Sequence, residues 1–115
     1  MRDDRKNIIV EKTLDFSLLI IDYAELLESQ KKYVIARQVL KSGTSIGANV
    51  REAQNAESKA DFIHKMKIAA KEADETDYWL LLCQLSPHYP DCKELQEKSD
   101  EIIRILSKII ASSKN

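Results

Sequence analysis

Between positions 33 and 56 the apolar residues hold one helical phase straight through a segment of loop-like composition. Ile35, Val39, Ile46, Val50 and Ala53 share a face at 3.6 residues per turn, with Gly43 on that face and Gly47 on its flank. Ser42-Gly43-Thr44-Ser45-Ile46-Gly47 reads as a loop by residue type, but a loop has no reason to keep the phase. The periodicity therefore predicts a continuous helix over 33–56, weakened by about 1 kcal/mol at each Gly relative to Ala.

Three further helices follow from the same spacing. The first, over 8–28, carries Ile9, Phe16, Ile20, Tyr23 and Leu27 on one stripe, flanked by Leu19 and Leu26, and Leu14, Leu18 and Ile21 on a second, narrower one. A helix in an isolated bundle needs one apolar face; this one has two. The third helix opens on Ser58-Lys59-Ala60-Asp61, which resembles a capping box with Asp in place of Glu. Phe62, Met66, Ala69, Ala73, Thr76 and Leu80 form its core face, extended by Ile63, Ala70 and Leu81, while Tyr78, Trp79, Leu82 and Leu85 lie away from it. The last two turns are thus apolar nearly all round and need cover beyond their own bundle.

Pro87, in Ser86-Pro87-His88-Tyr89-Pro90, stops the third helix. Asp91-Cys92-Lys93-Glu94 reads as a second capping box, and the fourth helix places Leu95, Ile102 and Ile109 seven apart with Ser99 and Leu106 in the alternate seam. Four helices with short loops predict an all-α, antiparallel up-down-up-down four-helix bundle, one domain over residues 1–115 without repeat or linker.

At 115 residues one core suffices without a staple, and two Gly with two Pro argue against a turn-rich all-β fold. No run of about eighteen apolar residues exists to span a membrane. Met1-Arg2-Asp3-Asp4-Arg5-Lys6 leads into only three apolar residues before Glu11, so no secretory signal is read, and the expected compartment is the cytoplasm. Cys83 and Cys92 form no C-x-x-C pair and read as two ordinary thiols.

Charge is uneven beneath a formal net of −1. Residues 1–30 carry net −3, residues 31–71 net +6, and residues 72–115 net −4. A basic block between two acidic ones has two readings: neutralisation between neighbouring helices, or a surface for an anionic partner. Arg37, Lys41 and Arg51 fall within about 80° of one another on the second helix, opposite its apolar stripe. Lys67 and Lys71 are i, i+4 on the third, and Lys31, Lys32, Lys59 and Lys65 add to the block. Each such cation could neutralise about one phosphate, or the face could simply be solvated.

Catalytic and metal chemistry find little support. Gly43 and Gly47 form a G-x-x-x-G without the Lys-Ser or Lys-Thr ending of a phosphate-binding loop. Close helix packing is the better reading, with Ser42 and Ala48 widening the small strip. Asp61-x-x-His64 is a single carboxylate-x-x-His, where di-iron bundles need two plus two further Glu residues. His88 stands in a loop without a neighbouring ligand. Glu72, Asp74, Glu75 and Asp77 form an acidic run best read as pairing with Arg or Lys on an adjacent helix or subunit. No Ser/His/Asp or Cys/His constellation emerges. The expectation is no catalytic residue, no metal and no cofactor.

Ser42-Gly43-Thr44-Ser45-Ile46-Gly47-Ala48-Asn49-Val50-Arg51-Glu52-Ala53 resembles the signature of the four-helix-bundle family encoded by intervening sequences in bacterial 23S rRNA genes. Ser58-Lys59-Ala60-Asp61-Phe62-Ile63-His64-Lys65 and Lys71-Glu72-Ala73-Asp74-Glu75-Thr76-Asp77-Tyr78-Trp79-Leu80 resemble its second and third blocks. The family pattern has Arg where this chain has Lys41 and Leu where it has Ala70; Lys41 lacks the bidentate fork that suits phosphate. The chain is similar also to the accessory variability protein of diversity-generating retroelements. The resemblance implies a ring-like homopentamer and, through that relative, binding of nucleic acid and of a reverse transcriptase. It supplies no catalytic residues. Two features read from the residues fit it: the stripe Leu14, Leu18, Ile21 and the end marked by Tyr78, Trp79 and Leu82 both ask for a subunit partner. The leading expectation is a non-enzymatic oligomer that binds RNA or DNA, with Lys31, Lys32, Arg37, Lys41 and Arg51 on phosphates and little base readout. The alternative is a scaffold or accessory subunit for a partner enzyme.

Overall fold

The computed structural model describes residues 7–114. Four helices follow one another: α1 (Ile8–Ser29), α2 (Tyr33–Ala53), α3 (Lys59–Leu85) and α4 (Lys93–Ser113), with no strand among the described residues. α1 neighbours α2 and α4, and α3 neighbours α2 and α4, while the backbones of the two diagonal pairs stand further apart and meet only through core side chains. The result is an elongated four-helix bundle, 46 × 22 × 19 Å.

The apolar phases become the core. Ile9, Phe16, Ile20, Tyr23 and Leu27 of α1 are buried against Val39, Ile46 and Val50 of α2, Met66, Ala69, Ala73 and Leu80 of α3, and Leu95, Ile102 and Leu106 of α4. Ile109 of the α4 heptad is only half-buried, packed against the edge of that core. α2 runs unbroken through Gly43 and Gly47. It ends three residues earlier than the periodicity predicts. The amides of Gln54, Asn55 and Ala56 turn back to the carbonyls of Arg51, Glu52 and Ala53, a tighter i to i+3 pattern that closes the last turn.

Glycine sets the approach of α1 to α2. A Cβ on Gly43 would stand 2.8 Å from Ile20 Cγ2, and one on Gly47 would stand 3.2 Å from the Thr13 carbonyl oxygen. Buried hydroxyls in this region satisfy themselves. Thr13 donates to the Ile9 carbonyl at 2.7 Å. Ser42 donates to the Gln38 carbonyl at 3.0 Å and meets Thr76 Oγ1 of α3 at 2.9 Å.

The helix starts differ in one respect from the sequence reading. Ser58 caps α3 by accepting from the Asp61 amide at 3.0 Å, and Asp61 reaches back to the Glu57 amide at 3.2 Å. At α4 the reading of Asp91 as cap and Glu94 as its reciprocal partner is corrected. Cys92 is the capping residue, and no side-chain cap bond forms there. Asp91 instead accepts from the Lys93 amide at 3.3 Å and from Gln84 at 2.8 Å, while Gln84 also accepts from the Cys92 amide at 2.8 Å. Gln84, on α3, thereby ties down the connection that a capping box would have held locally.

The end of α3 also departs from its expected phase. Trp79, placed by spacing away from the core, is half-buried and packs against it, because it stands three residues after buried Thr76 and four before buried Cys83. Leu81, expected to extend the core face, is exposed together with Tyr78 and Leu85. Leu82 is half-buried.

Candidate nucleic-acid interface

The face of α2 opposite its buried stripe carries Arg37, Lys41 and Arg51, all exposed. They span about 21 Å along the helix at 1.5 Å per residue. Among the described residues none of the three enters an ion pair. Elsewhere Lys12 pairs with Glu101 at 2.9 Å, joining α1 to α4, and Lys65 with Glu52 at 3.1 Å, joining α3 to α2. The Lys12 ammonium, by donating to Glu101, holds that carboxyl below its ordinary range.

The acidic run of α3 does not meet this basic face. Asp77 accepts from Ser99 of α4 at 3.3 Å and lies beside Asp100, so burial first and the neighbouring carboxylate second push its carboxyl up. Glu75 accepts from the Trp79 indole at 3.2 Å. The expected pairing of this run with Arg or Lys is thus not made within the chain among the described residues.

Lys31 and Lys32 sit where α1 hands over to α2. The Lys31 amide donates to the Glu28 carbonyl and the Lys32 amide to the Leu27 carbonyl, each at 2.9 Å, which is the Schellman pattern. Its left-handed residue is Lys31, at φ 64°. The Lys32 ammonium lies 4.9 Å above the centre of the Tyr89 ring. α2 begins there without a side-chain cap and without an acid in its first turn. The first turn of α2 therefore places no carboxylate beside these two lysines.

The second apolar stripe of α1 is open. Leu14 and Leu18 are 54% and 56% exposed, and Ile21 is exposed beside them. A groove of about 160 Å³ lined by Leu14, Ser17, Gly47, Ala48 and Arg51 joins the stripe to α2. Tyr78, also exposed, tilts against Trp79 with ring centres 6.0 Å apart.

Cys83 and Cys92 are buried, and burial raises both thiols, that of Cys92 to about 11. Tyr23 lies against both and donates to the Pro90 carbonyl at 2.7 Å, its phenol held well above its ordinary range by burial. These groups are packing, far from nucleophilic chemistry at neutral pH. Among the described residues no group of three or more His, Cys, Asp or Glu side chains could hold a metal ion, and no helix is long and apolar enough to cross a membrane. Sequence reasoning overlooked Tyr33 and Tyr89 beside the two lysines. The adjacency of Lys32 and Tyr33 was the available signal; nothing local placed Tyr89 there.

Comparison with known proteins decides the family. Residues 5–108 match the 23S rRNA-intervening sequence proteins. The chain belongs to that family. A crystal structure of a protein with unknown function from the S23 ribosomal protein family of Bacteroides thetaiotaomicron is 44% identical in sequence, with a TM-score of 0.81, over 89% of this chain and 97% of that one. No curated protein matches. The three blocks that carry the resemblance to the 23S rRNA-intervening sequence family have distinct structural places. The first holds the α1–α2 approach at Gly43 and Gly47 together with Arg51. The second holds the Ser58 cap, and the third holds Thr76 and Asp77, which reach Ser42 and Ser99.

Proposed function

We propose that this chain acts without catalysis, as the subunit of a ring-like oligomer of antiparallel bundles that binds RNA or DNA through phosphate contacts. The observation that carries the reading is the outward face of α2. Arg37, Lys41 and Arg51 lie along it without an ion pair among the described residues; Lys31 and Lys32 stand at the start of the same helix, with Lys32 turned to the Tyr89 ring. Cations left unneutralised in the subunit are available to an anionic partner, and repetition around a ring raises the local potential. Contacts between helices support the antiparallel order. Ile20 and Thr13 of α1 face Gly43 and Gly47 of α2, and Ser42 and Glu52 of α2 face Thr76 and Lys65 of α3. The open stripe of Leu14, Leu18 and Ile21 supports assembly with further copies, as does exposed Tyr78 beside Trp79 and Leu82. The resemblance supplies five as the number of subunits.

The test is a titration of nuclease-treated protein into a structured RNA at about 50 mM and 200 mM salt. Several phosphate contacts require affinity to fall by orders of magnitude across that range. Arg37→Glu with Lys41→Glu weakens binding steeply; unchanged affinity removes these positions from the interface. A second reading, a scaffold for a partner enzyme, is favoured by the exposed Tyr78, Leu81 and Leu85 at the end of α3. Absence of RNA and DNA binding at the lower salt, with capture of a partner that survives nuclease treatment, selects it.

A further inference from the structure

We propose that the end of the bundle where the α1–α2 and α3–α4 connections meet holds an unpaired nucleobase, so that the preferred ligand is a single strand or a looped-out nucleotide. The inference rests on the nucleic-acid reading above and names the part of the ligand that is recognised. A pocket of about 240 Å³ lies there, lined by Lys31, Lys32, Tyr33, Val34, Ile35 and Tyr89. That is below the roughly 300–1,000 Å³ of clefts for drug-sized ligands, and its size suits one flat ring rather than a large ligand.

The chemistry of the lining is mixed in the way a nucleotide requires. Tyr89 packs inward against the core, and its ring is covered by the Lys32 ammonium at 4.9 Å. This contact holds the Lys32 charge in one place on the pocket wall. Tyr33 is the opposite case: half of it is exposed, and among the described residues no ring or cation contact occupies it. A base laid on Tyr33 would bring its flanking phosphates within reach of Lys31 and Lys32. Stacking on an aromatic side chain tolerates every base, since each has a π-face, and it is closed to a base inside a duplex. Lys31 adds an independent indication. It occupies a left-handed backbone position where glycine is least strained, yet the chain keeps a long cationic side chain there.

The test compares a labelled twelve-nucleotide single strand with a blunt duplex of the same length by fluorescence anisotropy, at about 50 mM salt. Tyr33→Leu keeps apolar bulk but loses the ring; Tyr33→Phe keeps the ring. The expected result is a loss of about tenfold for the single strand with Tyr33→Leu, near-wild-type binding with Tyr33→Phe, and no change for the duplex with either. Circular dichroism and light scattering on both variants establish that fold and assembly are unchanged. Equal single-strand affinity for Tyr33→Leu and wild type overturns the stacking site and leaves phosphate binding standing. Failure of the wild type to bind either ligand removes the nucleic-acid reading, and the stacking site with it. Tight binding of an acidic peptide in place of both ligands assigns the pocket to protein and overturns the proposal in the same way.

Discussion

Lys31 shows how one side chain is set against the backbone that carries it. At φ 64° it closes α1 in the position where helices favour glycine. Lys31→Gly removes that strain, and the expected gain is about 0.5–1 kcal/mol in urea denaturation. The same change deletes a cation from the proposed phosphate set, so RNA affinity falls as stability rises. A variant that gained neither stability nor lost affinity would show Lys31 to be neutral in both respects. Gly43 is the reverse case. Alanine has the better helix propensity, by about 1 kcal/mol, but its Cβ would sit 2.8 Å from a branch of Ile20 that cannot swing away. Gly43→Ala is expected to cost about 1–3 kcal/mol through overpacking. Gly47→Ala, whose Cβ would meet the Thr13 carbonyl at 3.2 Å, is expected to cost less. Denaturation midpoints of the two variants rank them. Asp77 carries a pH signature. Its carboxyl is raised above the ordinary 3.8 by burial and by Asp100, so the folded state holds this proton more tightly than the unfolded state does. Its contribution is fully present below the ordinary value and is lost as pH rises through the raised one. Asp77→Asn is therefore expected to be more stable than wild type at pH 7, by less than about 1 kcal/mol because the group is partly solvated. The difference should shrink as pH falls toward 4, and thermal melts across that window measure it.

At the scale of the element, the helices that were easiest to read are those whose signals are local. Ser58 and Asp61 lie within one turn, and the cap they form on α3 is legible from four residues. Ser58→Ala is expected to cost about 1 kcal/mol, and hydrogen exchange should localise the loosening to the first turn of α3. The continuity of α2 was legible because phase accumulates over many residues and outweighs two glycines. The start of α4 was misread for the opposite reason. Asp91 and Glu94 have the right spacing, but Gln84, seven residues before Asp91 and on another helix, takes the role of organiser. Trp79 was placed outward by a phase fitted to the centre of α3, whereas it stands between buried Thr76 and Cys83 and packs on the edge of the core. The candidate site divides in the same way. The alignment of Arg37, Lys41 and Arg51 follows from helix geometry alone. That Asp77 turns toward Asp100 rather than toward those cations needed the placement of α4. Tyr89 reaches Lys32 only because the connection of α3 to α4 lies against that of α1 to α2.

For the whole molecule the decisive quantity is the number of bundles in solution. The subunit alone leaves Leu14 and Leu18 more than half exposed on one continuous stripe with Ile21, although each sits on a well-packed helix. The bundle core does not use them, so a polar substitution there leaves the fold of the subunit largely intact. Leu18→Glu separates assembly from folding on this basis. In a monomer the new carboxylate remains in water and stability changes within about 0.5 kcal/mol. In an oligomer that covers the stripe it is buried without a partner, at a cost of several kcal/mol per interface. The expected outcome is a wild-type particle several times the 13.2 kDa of one chain and a Leu18→Glu variant at that mass, both with the same helical content by circular dichroism. A wild-type mass of 13.2 kDa at micromolar concentration ends the oligomer proposal. Equal, larger masses for both proteins move the interface away from α1, toward Tyr78 and its neighbours on α3. The outcome also bears on the nucleic acid. A ring repeats the Arg37, Lys41 and Arg51 face around its axis, so an assembled protein shows a steeper dependence on salt than its dissociated variant. Measured on the same RNA, the two slopes tie the assembly to the binding: a variant that dissociates yet keeps the full slope places all the phosphate contacts within one subunit.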